Sequence, residues 1–188
     1  MDGAGLGMNP APSIRRLAAP EWRAYRALRL RALADSPDAF GSTLALESAQ
    51  PDADWSKRLA SGALSPFELP LVGEVGAEAA GLAWARIDPA LRGRAHLYQM
   101  WVDPSFRRLG IARRLLDAAI DWAERADARS LFLSVTCGMT PAARLYAGAG
   151  FVPAGDPEPL RPGSPLLVQP MQLVLRGADS PAPDHAVG

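Results

Sequence analysis

Apolar positions along this chain first recur at helical spacing and then switch to alternation. From Pro20 onward, Trp22, Tyr25, Leu28, Arg29, Ala32 and Leu33 follow a helical period, and Pro20 takes a first-turn position that tolerates its missing amide. Ile14 to Leu17 ahead of them reads as a short first strand. Asp35-Ser36-Pro37 stops the helix, and Asp38 to Ser42 reads as a loop. Asp52 to Ala60 predicts a second helix with Trp55 and Leu59 on one face, ended by Ser61-Gly62. Phe67 to Val75 and Ala80 to Ile87 then read as strands around a Gly-Ala-Glu turn, with Ala95 to Val102 as the next. Ile111 to Ala126 is a strongly amphipathic helix, with Ile111, Leu115, Ala118, Ala119 and Trp122 on one face. Arg129 to Thr136 is nearly continuous in apolar residues, which predicts a strand buried on both faces. A short helix over Pro141 to Ala149, capped by Gly150, and a last strand over Leu166 to Leu175 complete the order β-α-α-β-β-β-α-β-α-β. The class is mixed α/β, and the strand–helix–strand unit from Ala95 to Thr136 predicts a parallel pair.

Composition narrows the function classes. The 188 residues are 48% hydrophobic and 21% charged, which suits one folded domain. Glycine, proline and alanine crowd residues 1–13, and residues 177–188 read the same way, so both ends are expected to be mobile around a domain at 14–176. Twenty Lys+Arg balance twenty Asp+Glu, and the basic surplus of a nucleic-acid binder is missing. No stretch reaches the roughly 18 apolar residues of a membrane span. Met1 to Pro12 lacks the basic-then-apolar pattern of a secretory leader, and Cys137 is the single cysteine. A cytoplasmic protein is expected. Two histidines and one cysteine, scattered, give no metal-ligand spacing.

The segment Arg107-Arg108-Leu109-Gly110-Ile111-Ala112 lies between a strand and the best helix in the chain. The first amides of a helix lack internal partners, and the dipole there favours an anion. Gly110 lets backbone approach a phosphate, Ala112 keeps bulk away, and Arg107 and Arg108 can add charge-assisted bonds. The pattern R-x-x-G-x-A recurs by chance elsewhere; its place between strand and helix gives it meaning. Neither G-x-G-x-x-G nor G-x-x-x-x-G-K-[ST] is present, which disfavours dinucleotide and nucleoside triphosphate sites.

Together with Met100-Trp101-Val102-Asp103-Pro104, Leu133-Ser134-Val135-Thr136, Ala142-Ala143-Arg144-Leu145-Tyr146 and Gly150-Phe151, this segment resembles the GNAT superfamily of N-acetyltransferases in order and spacing. The resemblance runs most closely from Ala95 to Phe151. It implies a mostly antiparallel mixed sheet with helices on both faces and a splay between the fourth and fifth strands. It implies acetyl-coenzyme A as acyl donor, its pyrophosphate on the amides of Arg107 to Ala112, including Leu109 and Ile111, and its pantetheine arm along Met100, Trp101 and Val102. Tyr146 matches the family's tyrosine that protonates the departing thiolate and meets the cofactor. Direct transfer to an amine of a small molecule or peptide is implied, and a homodimer is expected because members often pair. Met139 stands where members often carry a cofactor-contacting Asn.

Tyrosine, with an ordinary pKa near ~10, is protonated at neutral pH and suits a general acid. An ammonium cannot attack a thioester, so a base is needed, and His96 is the candidate; some relatives carry Glu at this strand position. Strict alternation puts His96, Tyr98, Met100 and Val102 on one face. Phe40 and Trp84 are candidates for the acceptor pocket, and Asp35, Asp38 and Glu47 for attracting a cationic amine. Two other readings stay open at this point: a non-catalytic acyl-CoA-binding module, and a thioesterase using Cys137 with His96.

Overall fold

The computed structural model describes residues 10–91 and 93–175, so the tail from 177 and the first nine residues, expected to be mobile, lie outside the described residues. β1 (Ser13–Arg16) leads through a 3-10 turn into α1 (Trp22–Asp35), then α2 (Leu44–Ser48) and α3 (Asp52–Leu64). β2 (Glu68–Val75), β3 (Glu78–Ile87) and β4 (Arg94–Val102) follow as a meander. Next come α4 (Ile111–Arg125), β5 (Ser130–Thr136), α5 (Pro141–Gly148), β6 (Val152–Pro153), β7 (Glu158–Pro159) and β8 (Leu167–Val174). The strands form one sheet in the order β1-β2-β3-β4-β5-β8-β6, with β7 on β8, and every pairing is antiparallel except β4 with β5.

Period-two alternation splits the core between the two faces of the sheet. Ala83 and Ala85 of β3, with Leu97 of β4 and Leu131 and Leu133 of β5, meet Ile111, Leu115, Leu116 and Ala119 of α4. Val72, Leu82 and Trp84 point the other way, onto Tyr25, Leu28 and Leu33 of α1 and Trp55 and Leu59 of α3. The small residues on the α4 side let that helix sit close: a Cβ added at Gly73 would lie 2.7 Å from Cγ2 of Ile111, and one at Gly81 3.3 Å from Ile111 and Leu115.

Four departures from the sequence reading have local causes. α3 runs through Ser61-Gly62 to Leu64, because Gly62 is a contact residue and not a stop; a Cβ there would lie 2.2 Å from Cζ2 of Trp84. β5 is buried on one face only: Leu131, Leu133 and Val135 are buried, while Phe132 and Ser134 face a cavity. α2, capped by the Thr43 hydroxyl accepting from the Leu46 amide, and the two-residue strands β6 and β7 are too short to show a period. β4 does not alternate strictly, and that irregularity builds the site.

Candidate active site

β4 and β5 pair only from Arg94 opposite Ser130 to His96 opposite Phe132, and then separate. The β3–β4 register slips where β4 places two residues, Gln99 and Met100, opposite Ala83, and Gln99 takes φ 57°. Such a bulge bends its strand and reverses the side-chain parity beyond it. The face expected to carry His96, Tyr98, Met100 and Val102 is therefore broken: Trp101 shares the face of His96 and Tyr98, and Met100 and Val102 pack toward α4. The Tyr25 hydroxyl donates to Oε1 of Gln99 at 3.0 Å and ties the bulge to α1.

The opening between the strands holds a cavity of about 700 Å³, well within the size range of ligand sites. His96 and Tyr98 reach it from β4, Ser134 from β5, Tyr146 from α5, Phe40 from the loop after α1, and Arg29 from α1 itself. Glu158 and Leu160 line it from the last third of the chain. The structure thus brings together five sequence candidates, Tyr146, His96, Phe40, Met100 and Glu47, and leaves Trp84 outside.

Tyr146 is 6% exposed, stacks at a tilt on Phe151, and its hydroxyl has no hydrogen-bond partner among the described residues. Burial raises its pKa far above the ordinary value, because the phenolate would lose its water. The group is a proton holder at any physiological pH. His96 is half-buried between the rings of Tyr98 and Phe132, 5.9 and 5.4 Å away. Desolvation, then the charges of Arg94 and Arg86 against the opposing pull of Asp88, lowers its pKa below 6.5. The imidazole is therefore neutral near pH 7 and able to accept a proton.

At the far end of β4, a 3-10 turn over Pro104–Phe106 delivers the chain to Gly110, the N-cap of α4, at φ 79°. Arg108 is also left-handed, at φ 68°. Left-handed residues at a helix start build the amide nests that hold anions. A Cβ added at Gly110 would meet nothing within 4 Å, so the turn is open on that side. Arg114 bonds back to the Gly110 carbonyl at 3.1 Å, and the helix amides before it, Ile111, Ala112 and Arg113, have no intrahelical partner by geometry. The residues fit a pyrophosphate. The Arg107 guanidinium, expected to face phosphate, is engaged elsewhere: Nη2 donates to Asp35 at 2.6 Å and Nε to the Val102 carbonyl at 3.1 Å. Arg108 remains exposed beside the turn.

Three further expectations change. Trp84 is a core aromatic, 5.4 Å from the Tyr25 ring, and its Nε1 donates to Glu68 at 2.8 Å on a neighbouring groove. Asp35 and Glu47 are not free to attract an amine. Asp35 accepts from Ser36, from Nε1 of Trp101 and from Arg107, and the Ser36 bond, outweighing burial, leads in holding its pKa low. Burial alone would raise the Glu47 carboxyl, but bonds and charge from Arg29, with Ser42 and Arg58, outweigh it. Cys137 follows β5 five residues after Phe132, the partner of His96, which is roughly 16 Å at strand rise. No Cys–His dyad is formed. Met139, at the position where the resemblance expects Asn, is 86% exposed.

What sequence reasoning missed is Arg29, buried at 3% exposure against Glu47, itself expected to be a free acid, and Gln99 at the bulge. A charge on the apolar face of the first predicted helix was the available signal for Arg29; nothing local marks Gln99.

Residues 23–151 match the family model described as Acetyltransferase (GNAT) family. No curated protein matches the chain. Among solved structures, a GNAT-family acetyltransferase from Streptococcus pneumoniae superposes with a TM-score of 0.74 at 20% identity, covering 88% of this chain and 99% of that one. YncA from Salmonella typhimurium, solved with acetyl-CoA, gives 0.73 at 20% identity over 92% and 99%. Spermidine N-acetyltransferase from Vibrio cholerae, in complex with CoA and spermine, gives 0.70 at 18% over 87% and 95%.

Proposed function

This chain belongs to the acetyltransferase (GNAT) family, and on that premise we propose that it moves an acetyl group from acetyl-coenzyme A directly to a primary amine of a small molecule or peptide. The observation that carries the reading is the cavity at the β4–β5 splay, where a neutral imidazole and a buried, protonated phenol share one space. When bound, acetyl-coenzyme A supplies an activated thioester carbon. The amides from Arg108 to Ala112 hold its pyrophosphate, and Leu109, Gly110 and Ile111 contribute backbone only. Past His96, β4 has no β5 partner, so the backbone of Met100, Trp101 and Val102 is available to pair with the pantetheine amides. His96 takes a proton from the acceptor ammonium, directly or through a water. As the N–C bond forms and the C–S bond breaks, the Tyr146 hydroxyl gives its proton to the leaving sulfur. Phe40 closes the acceptor side of the cavity.

A cytoplasmic location and a homodimer belong to the same proposal, and its partners include neither nucleic acid nor membrane. Among the described residues no helix is long and apolar enough to cross a bilayer, and no group of His, Cys, Asp and Glu could hold a metal. An acyl-CoA-binding module has no use for a buried proton donor beside an open cavity, which favours the enzyme.

The test is acetyl-CoA binding by calorimetry for wild type and Gly110→Asp, followed by release of free CoA with a panel of amines. Asp tolerates the left-handed region better than most residues, so the variant folds while its anion occupies the phosphate turn. Wild-type binding, loss in the variant and amine-dependent CoA release support the reading. Tight binding with no release for any amine points to the binding module. No binding by wild type rejects the donor site itself.

A further inference from the structure

We propose that Arg161 is a positioning residue for the acceptor amine and acts through Phe40: its guanidinium fixes the segment 37–40 so that the Phe40 ring forms the acceptor wall of the cavity. This rests on the transferase reading above. The segment 37–42 joins α1 to α2 with only a 3-10 turn, Pro37–Ala39, and has no strand or α-helix of its own to take up its carbonyls. Three of those carbonyls accept from side chains far along the chain. Nη1 of Arg161 donates to the carbonyls of Pro37 and Phe40, both at 3.1 Å. Oγ1 of Thr136, at the end of β5, donates to the carbonyl of Asp38 at 2.6 Å. A charged donor makes its bonds stronger than a neutral one does, so the Arg161 pair is the firmer hold.

The mounting of Arg161 lets it locate the segment instead of following it. Arg161 starts a turn between β7 and β8 that two backbone bonds close. The Leu160 amide donates to the Leu166 carbonyl at 2.9 Å, and the Ser164 amide to the Arg161 carbonyl at 3.0 Å. β7 and β5 both pair with β8, so the turn is anchored to the sheet that carries the site. The two loops touch again at Gly41, where an added Cβ would lie 3.4 Å from the Leu160 carbonyl oxygen. Phe40 is 6% exposed and lines the cavity with His96 and Tyr146. Its ring lies over the Arg29 guanidinium, with the centroid 4.5 Å from Cζ, and where it sits there follows from where its backbone is held. His96 and Tyr146 stand on a strand and a helix, whose own hydrogen bonds fix them. Phe40 stands on a loop, and a displacement of about 1 Å in a group that positions substrate can cost about 100-fold in rate.

The experiment is a double-mutant cycle with Arg161→Ala, Phe40→Ala and the pair, using acetyl-CoA and the amine of the panel that gives the fastest CoA release. Arg161→Ala should lower kcat/KM for the amine by about 10- to 100-fold, chiefly through KM, with KM for acetyl-CoA unchanged. In the Phe40→Ala background the same substitution should change little, because its effect runs through the missing ring. Arg161→Lys, which keeps a charged donor toward the carbonyls, should recover part of the loss. Hydrogen exchange gives a readout that needs no amine: amides of 38–42 should exchange faster in Arg161→Ala, with those of α4 unchanged. Additive effects in the cycle, a loss confined to kcat, an equal rise in both KM values, or unchanged exchange over 38–42 overturns the role of Arg161 and leaves the transferase reading intact. Absence of CoA release with every amine overturns the transferase reading, and this role with it.

Discussion

Tyr146 and His96 are shifted away from neutrality in opposite directions, and the shifts give the pH dependence of the rate a definite shape. Below pH 6.5 the rate should fall as His96 takes up a proton, with the midpoint displaced to the acid side because desolvation lowers its pKa. No loss from Tyr146 is expected until well above pH 10, since burial holds its proton. His96→Ala should lower kcat and flatten the acid limb; a limb that survives in the variant assigns the base to another group. Tyr146→Phe should reduce kcat by about 100-fold or more, the usual range for a lost general acid, with KM for acetyl-CoA nearly unchanged. Steady-state kinetics with one good amine separates these outcomes. At this scale the sequence pointed to both residues, through chemistry for His96 and family resemblance for Tyr146. It did not point to the Arg29–Glu47 pair as a unit, because the two lie on different helices and only packing brings them together.

Single elements owe their geometry to contacts that no local period records. Gly62 sits inside α3, where alanine would ordinarily be favoured by about 1 kcal/mol. Here the added Cβ would lie 2.2 Å from a buried indole whose Nε1 is already bonded to Glu68, so crowding wins. Gly62→Ala should destabilise the protein by about 1–3 kcal/mol. Gly148 is the contrast: it lies in α5 with nothing within 4 Å of an added methyl, and Gly148→Ala should stabilise by up to about 1 kcal/mol. Thermal or urea unfolding of the two variants checks both signs. The end of α1 is tied to the turn before α4 by Asp35, which accepts from Trp101 and Arg107 together. The bulge at Gln99 is likewise a tertiary feature. Alternation from Ala95 to Val102 looked regular in sequence, yet the strand slips to let β5 diverge.

For the molecule as a whole, acid is the direction of weakness. Glu47, Asp35, Asp103 and Glu21 all have folded pKa values below their ordinary 4.5 or 3.8, so each contributes stability above those values that is lost as pH falls through the folded ones. His96 acts with the same sign: the unfolded chain binds its proton more readily, so stability declines from pH 6.5 downward. Melting temperature should slip slightly between about pH 6.5 and 5 and fall steeply below about 4.5. Exposed partners such as Glu21 add little, and the buried Arg29–Glu47 pair dominates. Glu47→Ala should cost about 3–5 kcal/mol near neutral pH, since it strands a buried guanidinium. The gap to wild type should narrow in acid, as wild-type Glu47 becomes protonated. A gap that is constant with pH would show that the pair is not the acid-sensitive group.

Sequence alone determined the mixed α/β class, the long elements and the Gly110 turn that starts α4, because each depends on a period or on a residue type within a dozen positions. The amphipathic run of α4 and the Gly110 start needed no other part of the chain to be read. Tertiary structure decided the rest. Where β4 leaves β5, which face Trp101 takes, that Trp84 is core while Phe40 lines the cavity, and that Arg161 reaches the carbonyls of Pro37 and Phe40 all depend on distant residues meeting. Such meetings leave no period in the sequence, since the partners are tens of residues apart and each satisfies its own helix or strand equally well without the other.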